Sequence, residues 1–221
     1  MLEIKGPNGT IYPVLAWDDK NVVLIDTGFH GQAGLIASEI SKAGFSLKDI
    51  TNVILTHHDL DHIGAAKELQ GLGAQISAHE KEVPYLQGEK PFLKLEAMEK
   101  RMNSLTDGER AFYGLIKASA PKLVINVDKK LASNETLPFC GGIEVVHTPG
   151  HTHGHISLFF KEKGVLVAGD AANIINGVLS GANPYHTYDT AEAEKSFEKL
   201  KKYKAEYVVC YHGGMYCGQK V

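Results

Sequence analysis

Cysteine is scarce in this sequence: only Cys140, Cys210 and Cys217 occur, none in a C-x-x-C pair. So sparse and odd a set offers no disulfide framework, which leads us to expect reduced thiols and a cytoplasmic protein. Each cysteine reads as a small buried or half-exposed residue rather than a ligand. Long hydrophobic runs are missing too. No segment approaches the roughly 18 apolar residues of a membrane helix. The opening Met-Leu-Glu-Ile-Lys-Gly-Pro lacks the apolar stretch of a signal peptide, so no membrane partner is expected. There is no excess of positive charge: 23 Lys and Arg stand against 26 Asp and Glu, for a net charge of −3. Without a basic block, binding driven mainly by nucleic-acid phosphates is not expected, which leaves room only for a local basic rim around a pocket, and no nucleic-acid partner is expected. No G-x-S-x-G is present, and no long Gly/Ser/Pro linker divides the 221 residues. That length suits one domain spanning 1–221.

Hydrophobic residues make up 43% of the chain and charged residues 22%, ordinary for a globular core. Short apolar runs recur. Thr10–Trp17 and Asn21–Asp26 flank a polar break and predict a hairpin. Further strands are predicted at Thr51–Thr56, Leu123–Val127, Ile143–Thr148, His155–Phe160, Val165–Gly169 and Tyr207–Tyr211. Helical spacing appears at Gln32–Lys42, with Leu35, Ile36 and Ile40 on one face, at Asp61–Leu69, and at Thr190–Tyr203, with Asp189 or Thr190 as N-cap. This mixture predicts an α/β sandwich. Residues 83–121 differ. They are rich in Lys and Glu, place Leu95, Met98 and Met102 at spacings of three and four, and read as a helical insertion, either solvated or a lid over a pocket.

Histidine is abundant. Eleven occur, with His57, His58 and His62 in one group and His147, His151, His153 and His155 in another. Clusters of His with Asp point to metal. In Thr56-His57-His58-Asp59-Leu60-Asp61-His62, which follows an apolar strand, residues 57, 59 and 61 share a side if the chain is extended. His57 and Asp59 would then reach one metal. A turn near Asp61-His62 redirects that pair toward a second. Asp and His are also good N-caps, but capping does not explain four candidate ligands in six residues. Thr148–His155, Gly169-Asp170 and Tyr211-His212-Gly213-Gly214 each put His or Asp at the end of a predicted strand. Singly, each is more often a turn than a ligand.

Together these segments resemble the metallo-β-lactamase superfamily over nearly the whole chain. The matching motifs are Asp26-Thr27-Gly28, His57-x-Asp59-x-Asp61-His62, Thr148-Pro149-Gly150-His151-Thr152, Gly169-Asp170 and His212. The resemblance implies a four-layer αββα sandwich with two metals at one edge. It implies that His57, Asp59 and His151 hold the first metal, that Asp61, His62 and His212 hold the second, and that Asp170 bridges them. Asp26 would order the ligand loop from behind. One position departs from the family pattern: Asp59 stands where a histidine is usual. Three aspartates make the site more negative, so Fe or Mn is expected to compete with Zn, the commoner ion.

The implied activity is hydrolysis of a small molecule by a hydroxide shared between two divalent ions, with Asp61 also serving as a proton carrier. An aspartate at 170 resembles the glyoxalase II and lactonase branches. The sequence runs only nine residues past His212, without glyoxalase II's glutathione-binding helical domain. A lactone or ester is therefore expected over a thioester. The alternatives are an iron-dependent oxidoreductase, persulfide dioxygenase or flavodiiron-like, and a non-catalytic metal-dependent sensor or binding module; a nuclease is a weaker third. His153 and His155 read as pocket-lining or solvent-facing. His147 reads as a core or supporting residue, His30 as approaching from behind, and His79 and His186 as structural. Tyr185 and Tyr188 read as packing residues or hydrogen-bond donors to substrate.

Overall fold

In the computed structural model, which describes residues 1–7 and 9–218, the chain opens with β1 (Ile4–Gly6) paired to β2 (Gly9–Ile11). Then β3 (Val14–Trp17) and β4 (Val22–Ile25) form the expected hairpin. Its turn is held by Asp18, which accepts from the amides of Lys20 and Asn21 at 2.9 Å. The predicted run Thr10–Trp17 is divided between β2 and β3 around Pro13, which has no N–H to donate to a ladder. There follow α1 (Ala33–Ser41), β5 (Asn52–Leu55), α2 (Ala66–Gly71) and β6 (Gln75–His79). The helices α3 (Val83–Leu86), α4 (Leu93–Lys100) and α5 (Asp107–Ser119) come next, before β7 (Lys129–Leu131). Strands β3-β4-β5-β6-β7 form one sheet in that order, parallel from β4 onward.

The second sheet uses β8 (Thr136–Leu137), β9 (Ile143–His147), β10 (Ile156–Phe160) and β11 (Val165–Gly169). A separate hairpin, β12 (Ala172–Ile175) with β13 (Val178–Gly181), precedes α6 (Thr190–Leu200), β14 (Tyr207–Cys210) and β15 (Gly214–Cys217). The strand order is β15-β14-β11-β10-β9-β8, antiparallel except for β11 with β14.

Alternation along the strands builds the layers. Val23, Ile25 and Ile54 of the first sheet pack with Ile143, Val145, Ile156 and Leu158 of the second. Leu24, Val53 and Leu55 face the other way, onto Ile36, Ile40 and Leu69 of α1 and α2. Val146, Phe159 and Leu166 face outward onto Phe197 and Leu200 of α6. The result is the expected αββα sandwich. Among the described residues no helix is long and apolar enough to cross a membrane.

Three element-level expectations need correction. Leu35 is 48% exposed, and Ala33 joins Ile36 and Ile40 on the buried face of α1. The helix expected at Asp61–Leu69 begins only at Ala66, because Asp61–Ala65 turn to direct side chains into the site. Leu123–Val127 forms no strand. Leu123, Ile125 and Val127 are buried, but Ile125 N–H donates to Leu86 O at 3.0 Å, so the run packs on α3 and pairing passes to β7. The 83–121 segment is helical as expected. It is not wholly solvated, since Leu86, Phe92, Leu93, Leu95 and Met98 enter the core beneath α1 and α2.

Candidate metal centre

Four loops leaving the C-terminal ends of β5, β9, β11 and β14 converge at one edge of the sandwich and carry His57–His62, His151, Asp170 and His212. The two sheets are joined there by a backbone bond from Ile156 N–H to Thr56 O at 3.0 Å. The Asp26-Thr27-Gly28 turn fixes the far side of the β5 loop. Thr27 Oγ1 donates to His62 O at 2.9 Å, and Gly64 N–H donates to Gly28 O at 2.7 Å. The approach is so close that a Cβ at Gly64 would lie 2.0 Å from the Phe29 carbonyl carbon, so only glycine fits.

The side chains gather into two groups, His57, Asp59, His151 and Asp170 in one and Asp61, His62 and His212 in the other, with ligand atoms in each within 4.8 Å of one another. In the first, Asp59 Oδ2 lies 3.3 Å from His57 Nε2 and 3.0 Å from His151 Nε2. In the second, Asp61 Oδ2 lies 3.2 Å from His212 Nε2 and 4.0 Å from His62 Nε2. Asp170 faces both: its Oδ2 is 3.5 Å from His151 and from His212, and its Oδ1 is 3.5 Å from His62. All seven residues singled out in the sequence thus lie together at this edge, with Asp170 a member of the first group that also faces the second.

Supporting residues set which nitrogens face inward. Asp26 has a left-handed backbone, φ 59°, at a cost of about 1–2 kcal/mol. Its carboxylate accepts from Thr56 N–H and Thr56 Oγ1, both at 2.8 Å, and from His62 Nδ1 at 2.8 Å. A carboxylate only accepts, so His62 Nδ1 carries a hydrogen and Nε2 points into the site. The Thr56 hydroxyl spends its one proton on Asp26 and therefore accepts from His57 Nδ1 at 3.0 Å, which turns His57 Nε2 inward as well. His155 is neither pocket-lining nor exposed. It is fully buried, its Nε2 accepts from Asp170 N–H at 3.0 Å, and its Nδ1 meets Thr148 Oγ1 at 2.9 Å. His58 points away from the centre, stacked on Tyr85 and Phe92 and bonded to Glu82.

Glu82 had no signal in the sequence. Fully buried, it accepts from His58 N–H at 3.0 Å, Thr152 Oγ1 at 2.8 Å and Gly154 N–H at 2.6 Å. It thereby ties the His57 loop to the His151 loop. Lys94 of α4 is the second unforeseen residue, with its Nζ 2.5 Å from Asp59 Oδ2. A third is Tyr211, whose ring lies 3.8 Å from that of His62 and whose hydroxyl donates to Asp61 O. All three lie among residue types that usually pack or face solvent, so neither pattern nor spacing marks them.

The electrostatics follow from burial and crowding. Burial pushes the Asp59 carboxyl up, but Lys94, His151 and His57 outweigh it and hold it well below the usual range. Asp170 is likewise raised by burial and pulled well below by His62 and His212. Burial also opposes the charge on Asp61, yet His62, His212 and Lys94 keep it at about 2. His57 is held low by burial and by His62. His62 goes the other way: burial is overcome by Asp26, Asp170 and Asp61. His212 is raised to about 9 because Asp170 and Asp61 outweigh its burial.

His186 lies close enough to the first group to feel Lys94, Asp59, His151 and Asp170, and burial above all holds its pKa below the usual value. The other histidines lie apart. His79 stacks on His147 at 4.2 Å, in keeping with structural roles. His30 is exposed, so it does not approach the site from behind. Tyr185 and Tyr188 are exposed, and Tyr185 Oη donates to Glu109 of α5 at 3.3 Å. His153 packs edge-on against Tyr188 in a cleft of about 640 Å³ that also involves Lys81, Tyr85 and Lys90. None of the seven donor residues lines that cleft.

The donor set fits divalent metal ions. His57 Nε2, His62 Nε2 and Asp170 Oδ1 are buried and have no hydrogen-bond partner among the described residues. Three such orphans facing one space cost free energy unless an electrophile meets them. The chain belongs to the metallo-beta-lactamase superfamily, whose family model matches residues 7–212. Among individual proteins, it is similar to the probable metallo-hydrolase YflN of Bacillus subtilis (strain 168), 32% identical over 214 residues, covering 89% of this chain and 76% of YflN. It also resembles the hydroxyacylglutathione hydrolase GloC of Haemophilus influenzae (strain ATCC 51907 / DSM 11121 / KW20 / Rd), 32% identical over 160 residues, 71% of this chain and 64% of GloC. In fold it resembles a metallo-beta-lactamase family protein from Thermus thermophilus, with a TM-score of 0.76, 24% identity and coverage of 98% of this chain and 73% of that one.

Proposed function

We propose that this protein is a metal-dependent hydrolase that cleaves an ester-type bond, a lactone or ester, in a small molecule at a two-ion centre. His57, Asp59 and His151 would hold one ion and Asp61, His62 and His212 the other, with Asp170 between them. The observation that carries the reading is the set of inward-facing, unpartnered atoms of His57, His62 and Asp170. The relationship to a probable metallo-hydrolase supports it. When bound, divalent ions supply Lewis acidity and lower the pKa of a coordinated water toward about 7.

The chain's own residues do the rest. Asp26, Thr56 and His155 hold the ligands in one orientation, so little reorganisation is needed as charge develops. Asp61, ionised at neutral pH and 15% exposed, is placed to accept the released proton and return it to the leaving group. His212, 41% exposed, marks the open side by which substrate enters. Helix α4 reaches the first group through Lys94, and on this reading residues 83–121 act as a lid.

A second reading is thioester hydrolysis, favoured by the similarity to GloC, named for an acylglutathione substrate. One experiment separates these readings: metal content per chain after purification without added metal, followed by turnover of a lactone, an aryl ester and an acylglutathione by the loaded protein. Two zinc or manganese ions with lactone or ester turnover is the expected result. Preference for the acylglutathione would select the thioester reading. A single iron with oxygen consumption, or bound metal without turnover on any substrate, would overturn both.

A further inference from the structure

The three carboxylates of the site are accompanied by one cation from outside the ligand loops. Lys94 Nζ sits 2.5 Å from Asp59 Oδ2, the same oxygen that faces His57 Nε2 at 3.3 Å and His151 Nε2 at 3.0 Å. The lysine is not a chance surface contact. Leu93 and Leu95 on either side of it are buried. Leu93 N–H donates to His58 Nε2 at 3.3 Å, beside the ligands themselves. Asp59 is 4% exposed, so its charge needs a partner at close range. A carboxylate oxygen has two lone pairs and can serve an ammonium and a metal ion together.

We propose that Lys94 is a built-in counter-charge of the metal centre, pairing with Asp59 so that this ligand contributes no net charge to the first ion's surroundings. The inference rests on the two-ion reading above. Asp59, Asp61 and Asp170 bring three negative charges and Lys94 returns one. The site thus has the net charge of a set with a neutral imidazole at position 59, and the third carboxylate no longer argues for harder ions. It also gives α4 a place in the chemistry: the helix completes the centre as well as covering it. Lys94 acts through Asp59 and is a positioning residue, not a catalytic one.

The test is a double-mutant cycle read by zinc affinity, measured by competition with a chromophoric chelator, and by ions bound per chain. Asp59→His alone leaves an uncompensated ammonium beside a neutral ligand and should weaken the first ion by about 10–100-fold. Adding Lys94→Met should restore most of that loss. Adding Lys94→Arg, which keeps the charge, should not. Rescue by methionine and not by arginine separates charge from packing. An equal cost of Asp59→His in the wild-type and Lys94→Met backgrounds would overturn the proposal. So would wild-type protein holding one ion and K94M holding two, because the ammonium would then replace an ion. Wild-type protein that binds no zinc or manganese would instead sink the hydrolase reading itself.

Discussion

The two ligand groups are built to different standards. The first, around His57, Asp59 and His151, is buried throughout and bounded by the helical segment through Lys94 and Glu82. The second, around Asp61, His62 and His212, is part-exposed and is anchored from the sheet side by Asp26 and Tyr211. A buried group with its own cation depends on packing. In the second group neighbouring aspartates raise the histidine pKa values, His212 to about 9, so an ion there would compete with protons and solvent. On the two-ion reading, the first group would hold its ion and the second would exchange one.

Asp170, which faces both groups, should abolish the distinction when changed. Asp170→Asn is expected to empty both positions and lower turnover about a thousandfold, the loss of several kcal/mol of charge stabilisation. Metal content measured beside activity checks this, and selective loss of one ion would assign Asp170 to that group alone. A smaller effect should separate the groups. Asp26→Asn should weaken the second ion by about 10–100-fold and the first less, since it reaches His57 only through Thr56, and Glu82→Gln the first by about 10–100-fold. Stepwise chelation of each variant identifies which ion leaves first. If both release the same ion, the division into two supports is wrong.

The smallest expected effect per step is in pH. His212 has its pKa raised to about 9, so below that value an incoming ion must displace a proton. Affinity at the second position should fall at least about tenfold for each pH unit below about 9, since His62, also raised, can add a second proton. His57 is held low, so it carries no such proton at neutral pH. Zinc titrations between about pH 6 and 9 should show one sloping and one flatter affinity. Two parallel slopes would contradict the assignment.

Much of this centre was legible in the sequence, for a physical reason. His and Asp are common metal ligands, and the loops after β5, β9, β11 and β14 concentrate them within a few residues. The α/β sandwich was legible because its strands carry apolar runs, whereas its four-layer order came only from the family resemblance. The failures have causes of their own. The run Leu123–Val127 is apolar because it is buried against α3, and burial alone does not choose between a strand and an extended packed segment. Strand β6 was missed because Gln75–His79 has only Ile76 and Ala78 as apolar residues. Glu82 and Lys94 lie in a stretch whose Lys and Glu content is that of a solvated helix face. Only the folded geometry shows that these two turn inward. His155 looked like its neighbours His151 and His153, and its role in holding Asp170 depends on a contact across the sheet.

The backbone bond from Ile156 to Thr56 is the seam at which the two sheets meet beside the ligands. Ions bound at this edge would act as crosslinks of the chain, since Asp59 and His151 lie 92 residues apart. Tying such distant points restricts the unfolded chain far more than the folded one, as a disulfide does. In a protein with three free cysteines, metal supply would then set thermal endurance as well as activity, with the ions serving as removable staples between the two halves of the sandwich.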